Sequence, residues 1–156
     1  MATIFYGSFI YMIVEPSPRM SNGYAVPIGI APAVLLVDDN EIQIATRKAI
    51  LEHAGIEVLI ASDGAEALHL LSSSCPPGNV GMVITDHLMP GMSGPEMVRE
   101  IRQRGFDFPI AVLSGFPDAG DAYEDMGVTF RTKPFHPDSL IALARELLGR
   151  PMRRSA

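Results

Sequence analysis

The pattern of apolar runs predicts an α/β fold, a doubly wound sheet of five parallel strands with helices on both faces. Three observations lead there. Runs rich in Val, Ile, Leu and Ala recur between residues 33 and 132, each followed by a stretch of helical spacing. The runs are continuously apolar, as in strands covered on both faces, rather than alternating as in half-exposed ones. Each also ends in a polar residue or a turn, which gathers chemistry at one rim of the sheet.

Taken in order, Ala33-Val34-Leu35-Leu36-Val37 is the first strand. Asp38-Asp39-Asn40-Glu41 ends it and opens a helix through Ala54, with Ile42, Ala45 and Ala49 on one face and Gly55 as the stop. Val58-Leu59-Ile60-Ala61 is the second strand. Asp63-Gly64-Ala65-Glu66 has capping-box spacing, and Ala67, Leu68 and Leu71 supply the buried stripe of the helix that follows. Ser72 to Asn79, containing Pro76-Pro77-Gly78, reads as a loop. Val80 to Thr85 is the third strand, and Asp86 leaves it where Met89-Pro90-Gly91 forces a turn. Ser93-Gly94-Pro95-Glu96 starts a helix over 95–104, closed by Gly105. Pro109 to Leu113 is the fourth strand, ending at Ser114-Gly115. The next helix is short and weak, because Pro117 and Gly120 crowd its start and Gly127 ends it. Val128 to Thr132 is the fifth strand, ended by Lys133-Pro134-Phe135. A fifth helix over 137–148 carries Leu140, Leu143, Ala144 and Leu147 at helical spacing.

The chain has 156 residues, of which 47% are apolar, enough for one domain with an appendage. Its net charge of −6 argues against nucleic acid as the main partner and favours a divalent cation or a basic surface. The single cysteine, Cys75, excludes an internal disulfide framework and fits a reducing cytoplasm. His53, His69, His87 and His136 lack the short spacing of a metal site and read as surface or helix-end residues. Residues 1–32 read as a flexible extension, interrupted by Pro16, Pro18, Pro27 and Pro32. Met1 to Val14 is apolar but shorter than the ~18 residues that span a bilayer, and it lacks the basic start of a signal peptide. Docking on a partner or membrane surface, or a natural start at a later methionine such as Met20, are the two alternatives for this segment. Residues 33–149 form the domain, and 150–156 a tail whose Arg150, Arg153 and Arg154 complement the negative end of the last helix.

In doubly wound sheets, ligands sit beyond the carboxyl ends of the strands, where strand order reverses. With the order 2-1-3-4-5, the first and third strands are central neighbours, and Asp38, Asp39 and Asp86 converge in one crevice. Three carboxylates that close repel, so one pKa rises or a cation enters. Mg²⁺ suits oxygen ligands and commonly pairs one or two carboxylates with phosphate oxygens. The same rim receives Ser114 and Lys133. A hydroxyl, an ammonium and a metal around one carboxylate would neutralise a phosphoryl group in transit. Each residue also has a plainer role: Asp38 and Asp39 as helix caps, Ser114 as a turn residue, Lys133 as solvated surface, Phe130 as core.

In combination, the acidic pair, the aspartate before Met89-Pro90-Gly91-Met92-Ser93-Gly94, Ser114 and Lys133-Pro134-Phe135 make residues 33–149 resemble the receiver domain of two-component response regulators, a flavodoxin-like fold. The resemblance implies that Asp86 accepts a phosphoryl group from a phosphohistidine on a sensor histidine kinase or a histidine phosphotransfer protein. It implies that Asp39, Asp86 and the backbone carbonyl of Leu88 bind Mg²⁺ directly, with Asp38 acting mostly through water. Lys133 and Ser114 would each bond a phosphoryl oxygen, Ser114 and Phe130 would form the switch, and the Lys133-Pro134 bond would be cis.

The segment between Ser114 and Lys133 is about one helical turn shorter than the usual receiver pattern, and the loss falls on the fourth helix. No further apolar pattern follows residue 150, so a single-domain cytoplasmic receiver is expected, signalling by altered protein binding. It would be no enzyme beyond its own phosphorylation and dephosphorylation, with no nucleic-acid or membrane partner. The alternatives are a phosphorylation-independent interaction module and the receiver fragment of a hybrid histidine kinase. A Mg²⁺-dependent phosphohydrolase of the aspartyl-phosphate type would carry a second aspartate where Leu88 stands. A mononucleotide-binding fold would need a glycine-rich turn where Asp38-Asp39-Asn40-Glu41 stands.

Overall fold

The structure, a computed structural model, describes residues 31–72 and 80–149, together with the backbone of Met20–Ser21 and Tyr24–Ala25. Five strands, β1 (Ala33–Val37), β2 (Val58–Ala61), β3 (Val80–Asp86), β4 (Ile110–Ser114) and β5 (Thr129–Thr132), form one sheet. Every pairing is parallel and the order is 2-1-3-4-5, so β1 and β3 lie side by side, with Val37 opposite Thr85. The helices are α1 (Glu41–His53), α2 (Gly64–Ser72), α3 (Gly94–Gln103) and α4 (Pro137–Leu148).

Alternate residues of each central strand point to opposite faces, and each face has its own core. Leu35, Val37, Val83 and Val112 pack with Leu68 of α2 and Met97, Val98 and Ile101 of α3. Val34, Leu36, Ile84 and Leu113 pack with Ile44 and Leu51 of α1 and with Leu140, Leu143, Ala144 and Leu147 of α4. This two-sided burial is why β1 reads as an unbroken apolar run: none of its five residues is more than 4% exposed.

Caps set where the helices begin. The Asn40 side chain accepts from the amides of Ile42 and Gln43, which starts α1 one residue beyond the acidic pair. Ser93 and Glu96 complete a capping box on α3. At α2 the reciprocal cap is displaced by one residue, since the Glu66 carboxylate reaches back to Ser62 while Asp63 accepts from the Glu66 amide. Gly55, with φ of 78°, ends α1 in a conformation that side chains resist.

Two expectations are corrected. The face of α1 holding Ile42, Ala45 and Ala49 is the exposed one, with Ile42 79% accessible. Ile44 and Leu51 face the sheet instead, because two alanines offer little area to bury and the bulkier side chains, seven residues apart, win the contact. The fourth helix is a 3₁₀ segment, Pro117–Tyr123, so the five strands alternate with four α-helices and this tighter turn. Proline and glycine lower its helical propensity, and Phe116 at its start makes no side-chain cap.

The loop at 73–79 with Cys75, the tail at 150–156 and most of the extension at 1–32 lie outside the described residues. Within that extension, Met20–Ser21 pairs antiparallel with Tyr24–Ala25, and Met1–Ile30 forms a unit separate from Ala31–Ala156.

The phase of α1 is testable by urea unfolding followed by circular dichroism. Leu51→Ala is expected to cost about 2–5 kcal/mol as a large-to-small core change. Ile42→Ala is expected to change stability by no more than about 0.5 kcal/mol, as an exposed site.

Candidate functional site

The parallel sheet sends every β-to-α connection out at the same rim, and the polar residues sit at those exits. Asp38 and Asp39 follow β1, Asp86 closes β3, Ser114 closes β4, and Lys133 follows β5. Backbone bonds lock the neighbouring tips together: the His87 amide donates to Leu113 O at 3.2 Å and the Lys133 amide to Ser114 O at 2.7 Å.

One oxygen from each of Asp38, Asp39 and Asp86 lies within 4.8 Å of the others. Asp38 is buried and Asp39 exposed, and the Asp86 side chain is 15% exposed. Lys133 Nζ stands 3.1 Å from Asp86 Oδ2, while Asp86 Oδ1 accepts the His87 amide at 2.8 Å. Asp38 is held from two sides: Oδ2 pairs with the Arg47 guanidinium, and Oδ1 accepts the Asn40 amide at 2.8 Å. Gln43 Oε1 accepts from both Arg47, at 2.7 Å, and Lys133, at 3.0 Å.

This donor set fits Mg²⁺. It consists of hard oxygens, it carries more negative charge than Lys133 and Arg47 offset, and its open side leaves room for the waters that this ion keeps. Asp38 and Asp86 each have both oxygens engaged, Asp38 by Arg47 and the Asn40 amide and Asp86 by Lys133 and the His87 amide, and Asp39 is the exposed acid of the three. Leu88, two residues beyond Asp86, lies on the rim and is 55% exposed.

Ser114 is buried at the tip of β4, where its Oγ accepts the Phe116 amide at 3.0 Å. The Phe130 ring packs on Tyr123, with centroids 6.2 Å apart, and lies against Gly120 of the 3₁₀ segment. The Lys133-Pro134 bond is cis, as the resemblance implies.

A model of the response regulator receiver domain matches residues 34–145. The chain belongs to that family. Among curated proteins it is similar to the aerobic respiration control protein ArcA of Escherichia coli K12, 33% identical over 124 residues that cover 78% of this chain and 50% of ArcA. It is likewise similar to the response regulator MprA of Mycolicibacterium vanbaalenii, 35% identical over 75% of this chain and 50% of MprA. The chain thus spans about half the length of these relatives. Among solved structures, the chemotaxis protein CheY4 of Vibrio cholerae superposes with a TM-score of 0.65 at 30% identity, over 74% of this chain and 98% of that one. A response regulator receiver protein from Pseudomonas putida gives 0.68 at 28% identity, over 76% and 99%. Receivers of this family accept phosphoryl groups from histidine kinases and generally bind Mg²⁺ at an acidic pocket.

Four residues beside this receiver's pocket were not legible as site residues. Gln43 and Arg47 are four apart on α1, so they share a face directed at the rim, a spacing visible in the sequence once the start of the helix is known. His87 departs from the expectation set for the histidines. His53, His69 and His136 are exposed on helices or at a helix start, but His87 Nδ1 lies 2.9 Å from Tyr123 Oη, with the rings edge to face. Tyr123 is the aromatic residue of a segment otherwise made of Pro, Asp, Ala and Gly, the one signal that marked it. The backbone must come close to seat it: a Cβ on Gly94 would clash with the Tyr123 hydroxyl and lie 2.8 Å from Asp86 O.

Burial pushes the Tyr123 hydroxyl above the ordinary tyrosine value of 10.0, and the charge of Asp86 adds to the shift. The stability that this protonated phenol contributes is full below the unfolded-state pKa and is lost as pH rises through the folded one. Absorbance titration is therefore expected to show one of the four tyrosines ionising later than the rest, and Tyr123→Phe to remove that late step. A titration with the late step intact in Tyr123→Phe would contradict the assignment.

Proposed function

We propose that this chain acts as a receiver that takes a phosphoryl group onto Asp86 from a phosphohistidine and signals by altered binding to another protein. The observation that carries this reading is the convergence of Asp38, Asp39, Asp86 and Lys133 at one rim of a receiver-family sheet. In the transfer, an Asp86 carboxylate oxygen forms the new P–O bond while the P–N bond of the donor breaks, and the imidazole leaves with the bonding electron pair. Lys133, already on Asp86, accompanies the incoming phosphoryl oxygen and offsets its charge. Ser114 accepts a bond from Phe116, so its own hydrogen remains to be donated to a phosphoryl oxygen. Asp39, Asp86 and the Leu88 carbonyl would hold Mg²⁺, with Asp38 acting through water, and the ion would supply charge neutralisation for the phosphoryl group.

The partner is a sensor histidine kinase or a histidine phosphotransfer protein, met through a protein surface. Ile42 in the first turn of α1 and Leu88 and Phe116 on two of the rim connections, 79%, 55% and 59% exposed, offer apolar contacts around an acidic centre. A cytoplasmic setting accords with the lone cysteine, and among the described residues no helix is long and apolar enough to cross a membrane. The chain turns over no substrate beyond its own aspartyl phosphate.

With Mg²⁺ and acetyl phosphate, the wild type is expected to gain an acid-stable, base-labile phosphoryl group, which Asp86→Asn and chelation of the metal each abolish. Equal labelling of Asp86→Asn would refute the assignment. Partner binding that is identical in wild type, phosphorylated protein and Asp86→Asn would favour a phosphorylation-independent module.

A further inference from the structure

We propose that Gln43 is a positioning residue that holds the Lys133 ammonium beside Asp86 for phosphoryl transfer; this deepens the function proposed above and rests on it. The Gln43 side-chain oxygen receives two cations at once, Lys133 Nζ at 3.0 Å and the Arg47 guanidinium at 2.7 Å. An amide oxygen has two lone pairs, so it serves both without giving up either. Arg47 is itself fixed, because its other hydrogen bond goes to the buried carboxylate of Asp38. The result is a closed polar path around the hollow, from Asp38 through Arg47, Gln43 and Lys133 to Asp86.

Lysine carries its charge on a flexible four-carbon stem, and one carboxylate alone leaves that stem free to swing. A second, uncharged acceptor changes this. It restrains the ammonium without competing for the charge that a phosphoryl group must find. Once Asp86 is esterified, its oxygens are no longer the same acceptor, and the Gln43 oxygen remains as the pivot about which Lys133 follows the phosphoryl group. Gln43 lies in the first turn of α1, and the Asn40 cap that starts this helix donates its own amide to Asp38. The helix start, the buried acid and the lysine are therefore held in one hydrogen-bonded unit.

Two lysines in the chain make a direct test available. Lys48, on the same helix, pairs with Glu52 at 3.6 Å on the surface and serves as the internal reference. Trace acetylation of the full chain with acetic anhydride, read by mass spectrometry, gives the ratio of Lys133 to Lys48 labelling. Gln43→Leu is expected to raise that ratio roughly fivefold, a charge-assisted bond discounted for a half-buried site. Gln43→Glu, which keeps an acceptor for both cations and adds a charge, is expected to return it to the wild-type value or below. The initial rate of Asp86 phosphorylation by acetyl phosphate is expected to fall by a similar factor in Gln43→Leu. A wild-type labelling ratio in Gln43→Leu overturns the proposal, as does a raised ratio that Gln43→Glu fails to restore, or a raised ratio with an unchanged phosphorylation rate. A wild type that takes up no phosphoryl group contradicts the underlying function instead, and the labelling ratio then decides by itself whether Gln43 holds Lys133.

Discussion

Carboxylates repel, and the rim of this sheet assembles three of them with oxygens inside 4.8 Å. At an effective dielectric of about 20, each such pair costs on the order of 3 kcal/mol, less where Asp39 faces water. The arrangement stands because two cations are built into it. Arg47 neutralises the most buried acid, Asp38, and Lys133 sits on Asp86. What remains is an excess of negative charge on the open side, between Asp39 and Asp86, an oxygen donor set that fits a hard divalent ion. The rest of the site follows from this division: two acids each paired with a cation of the protein, and Asp39 exposed beside them.

The architecture explains why the acids meet at all. β1 and β3 are neighbours in the 2-1-3-4-5 order, and parallel strands deliver their carboxyl ends to one edge. Buried faces on both sides fix the register, since a slip of one residue would exchange the two cores. A set of ring contacts begins at the residue after Asp86. His87, its chain neighbour, bonds to Tyr123, and Tyr123 packs on Phe130 beside the 3₁₀ segment.

The fold was legible because each strand is a continuous apolar run and the helix boundaries carry their own punctuation, such as Ser93 with Glu96 and Gly55. Asp38, Asp39, Asp86, Ser114 and Lys133 were legible because each stands at a strand exit, where polar residues interrupt apolar runs. Gln43 and Arg47 were not, because polar residues at the start of a helix ordinarily face water, and only the three-dimensional course of α1 turns them to the rim. The misassigned face of α1 shows the same limit: Ile42 marks an apolar stripe in one dimension, but its partners there are alanines, and the bulkier Ile44 and Leu51 meet the sheet. Tyr123 and His87 are far apart in the chain, and their contact depends on the close approach at Gly94 rather than on any local pattern.

The central claim is that a single divalent-ion hollow lies between the ends of β1 and β3. Addition of Mn²⁺ in place of Mg²⁺ to ¹⁵N-labelled protein reads this directly, because the paramagnetic ion broadens nearby amide resonances. The account predicts that Asp39, Asp86, His87 and Lys133 broaden first, while Leu51 and Leu147 stay sharp. Broadening centred on another acidic surface, such as Glu96 and Glu100 of α3, or spread evenly over the chain, would contradict it.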